Sequence, residues 1–163
     1  MSSITSKKLL TLILVLNEKE QKILLGMKKR GFGVGLYNGF GGKVEPGETI
    51  EEGARRELLE ESELEAVEME KIGNNLFTFE NDPVGLDVHI YTTTRYLGEP
   101  HETEEMNPEW FAYADIPFHQ MWPDDRLWFP YVFNKTKFTG HFHFAQDQKT
   151  ILSQELIAVQ HLD

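Results

Sequence analysis

Three glutamates in one short segment are the residues of this sequence that could carry the most specific chemistry. Glu57, Glu60 and Glu61 are spaced i, i+3 and i+4, which gathers their side chains on one side of a helix. On a helical wheel, Glu57 and Glu61 fall inside the apolar stripe that contains Leu58, and Glu60 borders it. Buried carboxylates need a compensating cation, and clustered oxygen donors suit Mg²⁺ or Mn²⁺. The alternative is a solvated acidic helix paired with its own arginines.

A glycine-rich segment precedes these glutamates. Six of the twelve residues from Gly31 to Gly42 are glycine, which excludes a packed helix and indicates a loop or a bent strand. Glycines allow backbone groups to approach a phosphate or a metal ion closely. Neither a phosphate-binding P-loop nor a dinucleotide-binding fingerprint is present in this segment. The segment therefore predicts close backbone approach to a ligand without naming that ligand.

The elements that must position these groups follow from periodicity and capping signals. A long helix is predicted over 49–64, because Thr49 and Glu52 form a capping box. A second helix is predicted over 124–134, with Pro130 near its first turn. Alternating or apolar runs predict strands over 11–16, 23–27, 76–80, 86–91, 110–113 and 138–144. The segment 150–161 is left unassigned, and the sum is an α+β domain with a mixed or antiparallel sheet.

Length, charge and composition narrow the class of protein. The 163 residues predict a single domain over 1–163, with residues 1–8 as a flexible N-terminal extension. Sixteen Lys and Arg against 27 Asp and Glu give a net charge of −11, which disfavours nucleic-acid and anionic-membrane partners. The absence of cysteine excludes disulfides and thiolate metal sites. The apolar run 9–16 is too short to span a membrane.

The glutamate segment resembles the signature of a known family. Gly42, Glu48 and the stretch from Arg56 to Leu64 are similar to the Nudix box, G-x5-E-x7-R-E-U-x-E-E-x-G-U with U aliphatic, and match eight of its nine defined positions. The resemblance implies the Nudix α/β/α sandwich around a mixed β-sheet. Glu63 departs from the box, which has glycine there, so the end of the helix is in question.

The resemblance extends to the vertebrate MutT-homologue branch of the family. It rests on the segments 26–33, 38–43, 87–89 and 122–125. The branch implies Mg²⁺-dependent hydrolysis of oxidised purine nucleoside triphosphates, such as 8-oxo-dGTP and 2-hydroxy-dATP, to the monophosphate and pyrophosphate, with Mn²⁺ as a substitute. This activity sanitises the nucleotide pool. The resemblance further implies a cytoplasmic monomer, with the nucleus or the mitochondrial matrix as further locations.

The resemblance also implies roles for individual residues. Glu61 is expected to be the base, although the residues alone do not separate base from metal ligand, and Arg56 is expected to orient the catalytic Glu57, Glu60 and Glu61. The implied metal ligands are Gly42, Glu57, Glu60, Glu61 and Glu105. The implied substrate-binding residues are Thr11, Lys28, Phe32, Asn38, Phe40, Gly41, Gly42, Lys43, Phe77, Trp122, Pro123, Asp124, Asp125 and Trp128.

Among the substrate-binding residues, Asn38, Asp124 and Asp125 are expected to read the base and Trp122 to stack on it. Neighbouring carboxylates interact, so one of the two aspartates can hold a proton. Structural alternatives remain at this point. Either aspartate could simply cap the following helix, Glu105 could be a solvated loop charge, and Phe77 could belong to the core.

Two other functions stay open beside this one. The same chemistry could act on dinucleoside polyphosphates, nucleotide sugars or inositol pyrophosphates, although the net acidity disfavours the last. The chain could also be a non-catalytic nucleotide- or RNA-end-binding module. Such modules usually lack box glutamates, whereas Glu57, Glu60 and Glu61 are all present.

Overall fold

An eight-stranded mixed sheet forms the centre of the molecule in a computed structural model, which describes residues 4–162. The strands are β1 (Ser6–Asn17), β2 (Lys22–Lys28), β3 (Tyr37–Asn38), β4 (Glu65–Phe79), β5 (Val84–Leu97), β6 (Met106–Ala112), β7 (Phe138–Phe144) and β8 (Ile151–Ala158). The helices are α1 (Ile50–Ser62) and α2 (Asp125–Phe133). Two short 3₁₀ turns, Tyr113–Asp115 and Phe118–Gln120, connect β6 to α2.

The strand order is β3-β2-β1-β5-β4-β7-β8, and β6 also pairs with β2. Two pairs are parallel, β1 with β5 and β4 with β7. The pairs β1–β2, β2–β3, β2–β6, β4–β5 and β7–β8 are antiparallel. The sheet is therefore mixed, as expected.

The two helices cover opposite faces of this sheet. Alternate residues of β1 point to opposite sides: Ile13 belongs to the core cluster under α1, which includes Leu58. Leu14 belongs to the cluster under α2, which includes Trp128. Because both faces are covered, β1 reads as a nearly continuous apolar run rather than an alternating one. The α/β/α arrangement predicted from the resemblance is confirmed.

Helix α1 begins and ends at defined capping structures. Thr49 accepts a hydrogen bond from the Glu52 amide at 3.1 Å, and the Glu52 carboxylate accepts one from the Thr49 amide at 2.8 Å. At the other end Glu63 takes the left-handed conformation, with φ of 67°, and its amide donates to the Leu59 carbonyl. Glu63 thus adopts the backbone that glycine favours, so the helix end is kept at a conformational cost.

Several predicted boundaries are corrected by the structure. Residues 6–8 lie in β1, where Ser6 pairs with Val84, so they are not a flexible extension; residues 1–3 lie outside the described range. Pro130 is inside α2 rather than near its first turn, because the helix begins at Asp125 and ends at Phe133. The unassigned segment 150–161 contains β8.

Strands β4 and β5 are much longer than their predicted parts. Both run for 14 or 15 residues, and their pairing contains register shifts between Ala66 and Glu68, Glu68 and Glu70, and Lys71 and Gly73. Each shift breaks the alternation of apolar and polar residues, which is why the N-terminal half of β4 carries no clear strand pattern. Between residues 4 and 162, no helix is long and apolar enough to cross a membrane.

Candidate active site

A cavity of about 220 Å³ opens on the α2 side of the sheet. Its walls come from β1, β4 and β5, from the glycine-rich segment, and from the start of α2. The lining is mostly apolar, with a small number of polar side chains facing inward. This composition is typical of small-molecule sites, in which apolar walls hold the ligand and a few polar groups orient it.

Glu61 is a buried carboxylate that lines this cavity. Its Oε1 accepts a 2.9 Å hydrogen bond from the Gly41 amide, and only 4% of the residue is exposed. The pKa of Glu61 is raised to about 7, chiefly by burial; the hydrogen bond from the Gly41 amide acts to lower it, and the charge of the nearby Glu57 acts to raise it. A Cβ at position 41 would lie 1.8 Å from the Thr11 carbonyl oxygen, so only glycine allows this approach.

Glu57 lies against bare backbone in the same way. A Cβ at Gly42 would lie 2.7 Å from the Glu57 carboxyl carbon, so glycine is required for the carboxylate to pack there. Burial raises the pKa of Glu57, while hydrogen bonding and charge from Arg56 lower it. The glycine-rich segment therefore makes room for two carboxylates of α1, and its predicted close approach to a ligand stays a prediction.

Arg56 holds a network of carboxylates beside these two. Its Nε and Nη2 donate to the two Glu48 oxygens at 2.7 and 3.0 Å, and its Nη1 donates to Glu57 at 2.9 Å and Glu60 at 3.3 Å. These bonds raise the pKa of Arg56. Bidentate pairing fixes the guanidinium plane, so Arg56 is placed to orient Glu57 and Glu60. The sequence motif contains Glu48 without indicating its role. In the structure, Glu48 positions the Arg56 guanidinium through these two hydrogen bonds.

Glu60 and Glu105 stand apart from the buried pair. The Glu60 side chain is 57% exposed. Glu105 accepts a 2.8 Å hydrogen bond from Arg30 Nε and lies 3.6 Å from Lys28 Nζ. The pKa of Glu105 is lowered, and the hydrogen bond from Arg30 makes the largest contribution to that lowering. No group of three or more His, Asp or Glu side chains in the described part of the chain is arranged to hold a metal ion.

Asp124 and Asp125 form a buried acidic pair, each only 3% exposed. The Trp128 indole Nε1 donates to Asp124 Oδ2 at 2.8 Å, whereas Asp125 Oδ2 has no hydrogen-bond partner among the described residues. Burial raises the pKa of Asp124 to about 6, and burial together with the Asp124 charge raises that of Asp125 well above its ordinary value. Asp124 precedes α2 without a side-chain capping bond. The helix-capping alternative is therefore wrong for Asp124.

Two aromatic rings form one wall of the cavity. Phe32 and Trp122 stack with ring centroids 5.0 Å apart at an interplanar angle of 28°. Phe32 is 58% exposed, so its ring has a free side. A flat aromatic surface of this kind suits a planar base.

The cavity brings together most of the predicted substrate-binding residues. The residues that line it are Thr11, Lys28, Phe32, Asn38, Gly41, Gly42, Phe77, Trp122, Asp124, Asp125 and Trp128. Lys43 and Pro123 do not line it. The Lys43 side chain is exposed, and its carbonyl accepts a hydrogen bond from Arg56.

Phe40 is a correction to the predicted site. It is fully buried in the core cluster under α1, together with Ala54 and Leu58, and does not line the cavity. The cause is local: Phe40 forms a bridge with Ile13 of β1 through two backbone hydrogen bonds. That pairing directs its ring to the α1 face, while its glycine neighbours face the cavity.

Sequence reasoning missed a polar residue in the cavity wall. Asn75 is fully buried, and it lines the cavity together with Phe77 and Phe79 of the same strand. Extending the alternation of Phe77 and Phe79 back by two residues reaches Asn75, so a usable signal was present. Other lining residues that were not predicted as substrate-binding include Gly33, Leu36, Val88, Ile90, Met106, Phe144 and Gln148.

Comparisons with known proteins find a matching family and similar sequences. The NUDIX domain model matches residues 7–132. The chain is 55% identical over 152 residues to the oxidized purine nucleoside triphosphate hydrolase of Mus musculus, covering 93% of this chain and 96% of that protein. It is 52% identical over 157 residues to the protein of the same name from Danio rerio, covering 96% and 99%.

Solved structures share the fold. The mutator MutT protein from Bacillus halodurans superposes with a TM-score of 0.80 at 25% identity, covering 91% of this chain and 97% of that one. The MutT protein from Methanosarcina mazei Go1 superposes with a TM-score of 0.67 at 20% identity, covering 84% and 99%. At that lower identity the second match speaks for the fold alone.

Proposed function

The chain belongs to the Nudix family, and from this premise we propose that it hydrolyses oxidised purine nucleoside triphosphates to the monophosphate and pyrophosphate. The supporting observation is that one cavity is lined both by the buried Glu61 and by the buried pair Asp124 and Asp125. A carboxylate for hydrolysis and an acidic pair for base recognition are thus available to one ligand. The activity is the one named for the mouse and zebrafish relatives, which align over nearly their whole length.

Base recognition is assigned to the acidic pair and the aromatic wall. The raised pKa values of Asp124 and Asp125 favour a shared proton at neutral pH. A protonated acid donates a hydrogen bond where a carboxylate accepts one, so the pair can face a base edge that carries both kinds of group. Asn38 is proposed to add a further polar contact, and Trp122 to stack on the base.

We also propose Mg²⁺ as the cofactor, with Mn²⁺ as a substitute. The proposed ligands are the carboxylates of Glu57, Glu60, Glu61 and Glu105 and the Gly42 carbonyl. The donors fit a hard cation, because all of them are oxygens. Burial also raises the pKa of Glu57 and Glu61, because the positive charges nearby do not offset the cost of burying these carboxylates. Mg²⁺ commonly uses one or two carboxylates together with substrate phosphates and water, so a preformed protein cage is not required.

Bound Mg²⁺ would neutralise phosphate charge and lower the pKa of a coordinated water. The residues of the chain supply the rest. Glu61 is proposed to accept the proton of the attacking water, because it is a buried carboxylate that lines the cavity. The Gly41 amide keeps one Glu61 oxygen in place. Arg56 is proposed as a positioning residue that orients Glu57 and Glu60.

The proposed function is tested by a pyrophosphate-release screen with Mg²⁺. The substrates are 8-oxo-dGTP, 2-hydroxy-dATP, dGTP, dATP, a dinucleoside polyphosphate, a nucleotide sugar and an inositol pyrophosphate. We expect the oxidised purines to be the best substrates and to yield pyrophosphate and the monophosphate. Faster turnover of a dinucleoside polyphosphate or a nucleotide sugar would reassign the substrate, and binding without turnover of any compound would support a non-catalytic module.

We infer that the working unit is a monomer in the cytoplasm, with the nucleus or the mitochondrial matrix as further locations. A cysteine-free sequence suits a reducing compartment. Sedimentation of the purified protein tests the monomeric state, and fractionation of cells that express the tagged chain tests the location.

A further inference from the structure

Asn75 is a buried amide with no hydrogen-bond partner in the described part of the chain. The residue is 0% exposed, and neither its side-chain nitrogen nor its side-chain oxygen is bonded. A carboxamide carries one acceptor oxygen and two N–H donors, and burying them without partners lowers the stability of the folded state. An unpaired amide inside a ligand-sized cavity calls for a reason other than folding.

The strand register places Asn75 in a row of apolar residues. On β4 it shares a face with Phe77 and Phe79, and all three line the cavity. Across the sheet it pairs with Val88 of β5 and Gly140 of β7. An apolar side chain would suit this position, as it does at Phe77, Phe79 and Val88.

Gly140 leaves the space that the Asn75 amide occupies. A Cβ at position 140 would lie 2.3 Å from Asn75 Oδ1. The carboxamide therefore occupies the space that a side chain on β7 would otherwise fill. The neighbouring strand thus makes room for the amide.

The preceding residue is a natural contrast. Asn74 Nδ2 donates to Asp87 Oδ1 at 2.8 Å and to the Val88 carbonyl at 3.0 Å, and Asn74 does not line the cavity. Successive residues of a strand point to opposite faces. The protein therefore satisfies the amide on one face of β4 and leaves the amide on the cavity face unpaired.

We propose that Asn75 is a specificity-determining residue that hydrogen-bonds the purine of the substrate, an inference that rests on the proposed function. Its carboxamide offers an acceptor beside a donor and so complements a base edge with a donor beside an acceptor. Guanine presents two acceptors, O6 and N7, on that edge. Oxidation at C8 converts N7 into an N–H donor, so 8-oxoguanine gains the complementary pattern. Adenine bases carry it already, as the 6-amino group beside N7.

The test is Asn75→Leu, which removes the hydrogen-bonding groups and keeps a similar size. We expect kcat/KM for 8-oxo-dGTP to fall about 10- to 100-fold, the range for a lost specific hydrogen-bonding pair. The value for dGTP should change by less than about threefold, and 2-hydroxy-dATP and dATP should fall by equal factors, because their N6/N7 edges are the same. Asn74→Leu is the matched control and should leave the 8-oxo-dGTP to dGTP ratio unchanged.

The melting temperature of the ligand-free protein gives an independent readout. Asn75→Leu should keep or raise it, because an unpaired buried amide is removed, while Asn74→Leu should lower it, because two hydrogen bonds are lost. If Asn75→Leu fails to fold, Asn75→Ala takes its place in the same comparison. An unchanged ratio of 8-oxo-dGTP to dGTP turnover in a folded Asn75 variant overturns the proposal.

The experiment separates this inference from the proposed function. If the wild-type protein does not hydrolyse 8-oxo-dGTP, the proposed function fails on that result alone. Calorimetric binding of 8-oxo-dGMP and dGMP to the wild type and to the Asn75 variant then decides the role of Asn75. Equal affinities of the variant and the wild type for 8-oxo-dGMP would overturn it.

Discussion

The Gly41 amide donates a 2.9 Å hydrogen bond to Glu61 Oε1. This bond joins the glycine-rich segment to the last turn of α1, and it fixes one of the two Glu61 carboxylate oxygens. Any side chain at position 41 would collide with the Thr11 carbonyl. The position of the proposed base thus depends on a backbone approach that only glycine permits.

Glu61→Gln should reduce kcat on the order of a hundredfold or more, because the amide cannot accept a proton from water. Folding should be retained, since glutamine still offers an acceptor oxygen to the Gly41 amide. Steady-state pyrophosphate release measures the fall in kcat, and a thermal melt checks that folding is retained. Glu51→Gln, an exposed position on the same helix that pairs with Arg55, is the control and should retain wild-type turnover. Near-wild-type rates for Glu61→Gln would remove it as the base.

Removal of divalent metal should abolish pyrophosphate release, and added Mg²⁺ should restore it. The proposed ligands bind metal only when deprotonated, so raised carboxylate pKa values at Glu57 and Glu61 make Mg²⁺ affinity increase with pH. Titration calorimetry between pH 6 and 8 measures this slope. Full activity in excess chelator would be incompatible with the metal assignment.

Asp124→Asn should change both selectivity and the pH dependence of stability. The pKa of Asp124 is raised from 3.8 to about 6, so its contribution to stability is fully present below the unfolded value and is lost as pH rises through about 6. The melting temperature of the ligand-free wild type, relative to that of Asp124→Asn, should therefore fall between pH 4.5 and 7. Asp115→Asn, at an exposed position, should show no such trend.

The same Asp124 variant tests base recognition. Its kcat/KM ratio for oxidised over normal purine triphosphates should fall more than its Mg²⁺ affinity, because Asp124 lines the cavity and is not among the proposed ligands. Unchanged selectivity would take Asp124 out of the base-binding group.

Phe40→Ala should destabilise the protein by about 3–5 kcal/mol, the range for truncating a buried phenylalanine. Phe32→Ala should cost under about 1 kcal/mol, because Phe32 is exposed, but it should raise KM through loss of the aromatic wall. Urea unfolding and steady-state kinetics compare the two variants. A stable Phe40→Ala protein with a raised KM would return Phe40 to the substrate site.

Glu63→Gly should stabilise the protein by about 0.5–1 kcal/mol, because Glu63 has a φ of 67° and glycine populates that region freely. The contact of Glu63 with His101 is exposed and contributes little. Glu63→Ala keeps the Cβ and should gain much less. Urea midpoints of the three proteins measure the difference, and equal midpoints for the glycine and alanine variants would mean that no strain is relieved.

The local parts of the fold could be predicted from the sequence, whereas its long-range parts could not. The capping box at Thr49 and the apolar stripe of α1 are encoded within a few residues, so the helix was predicted nearly to its ends. The register shifts between Ala66 and Gly73 are set by pairing with β5, which leaves no local pattern.

The same division holds for the site. The glutamates of α1 and the Asp124–Asp125 pair stand in compact motifs, and the predicted substrate-binding residues mostly meet in one cavity. Phe40 was misplaced because it sits among glycines that do face the cavity, and its direction depends on a bridge to Ile13. Asn75 was missed because its importance comes from being buried without a partner, which only the packed sheet reveals.

The parallel pairing of β1 with β5 constrains how the polypeptide reaches its native state. Ser6 lies opposite Val84, so β1 cannot pair with β5 until about half of the chain has left the ribosome. Contacts between such distant segments slow folding. The cavity, which needs β1, β5 and α2 together, is therefore expected to be among the last features to form during synthesis. Refolding from denaturant should restore α1 before the cavity can take up nucleotide.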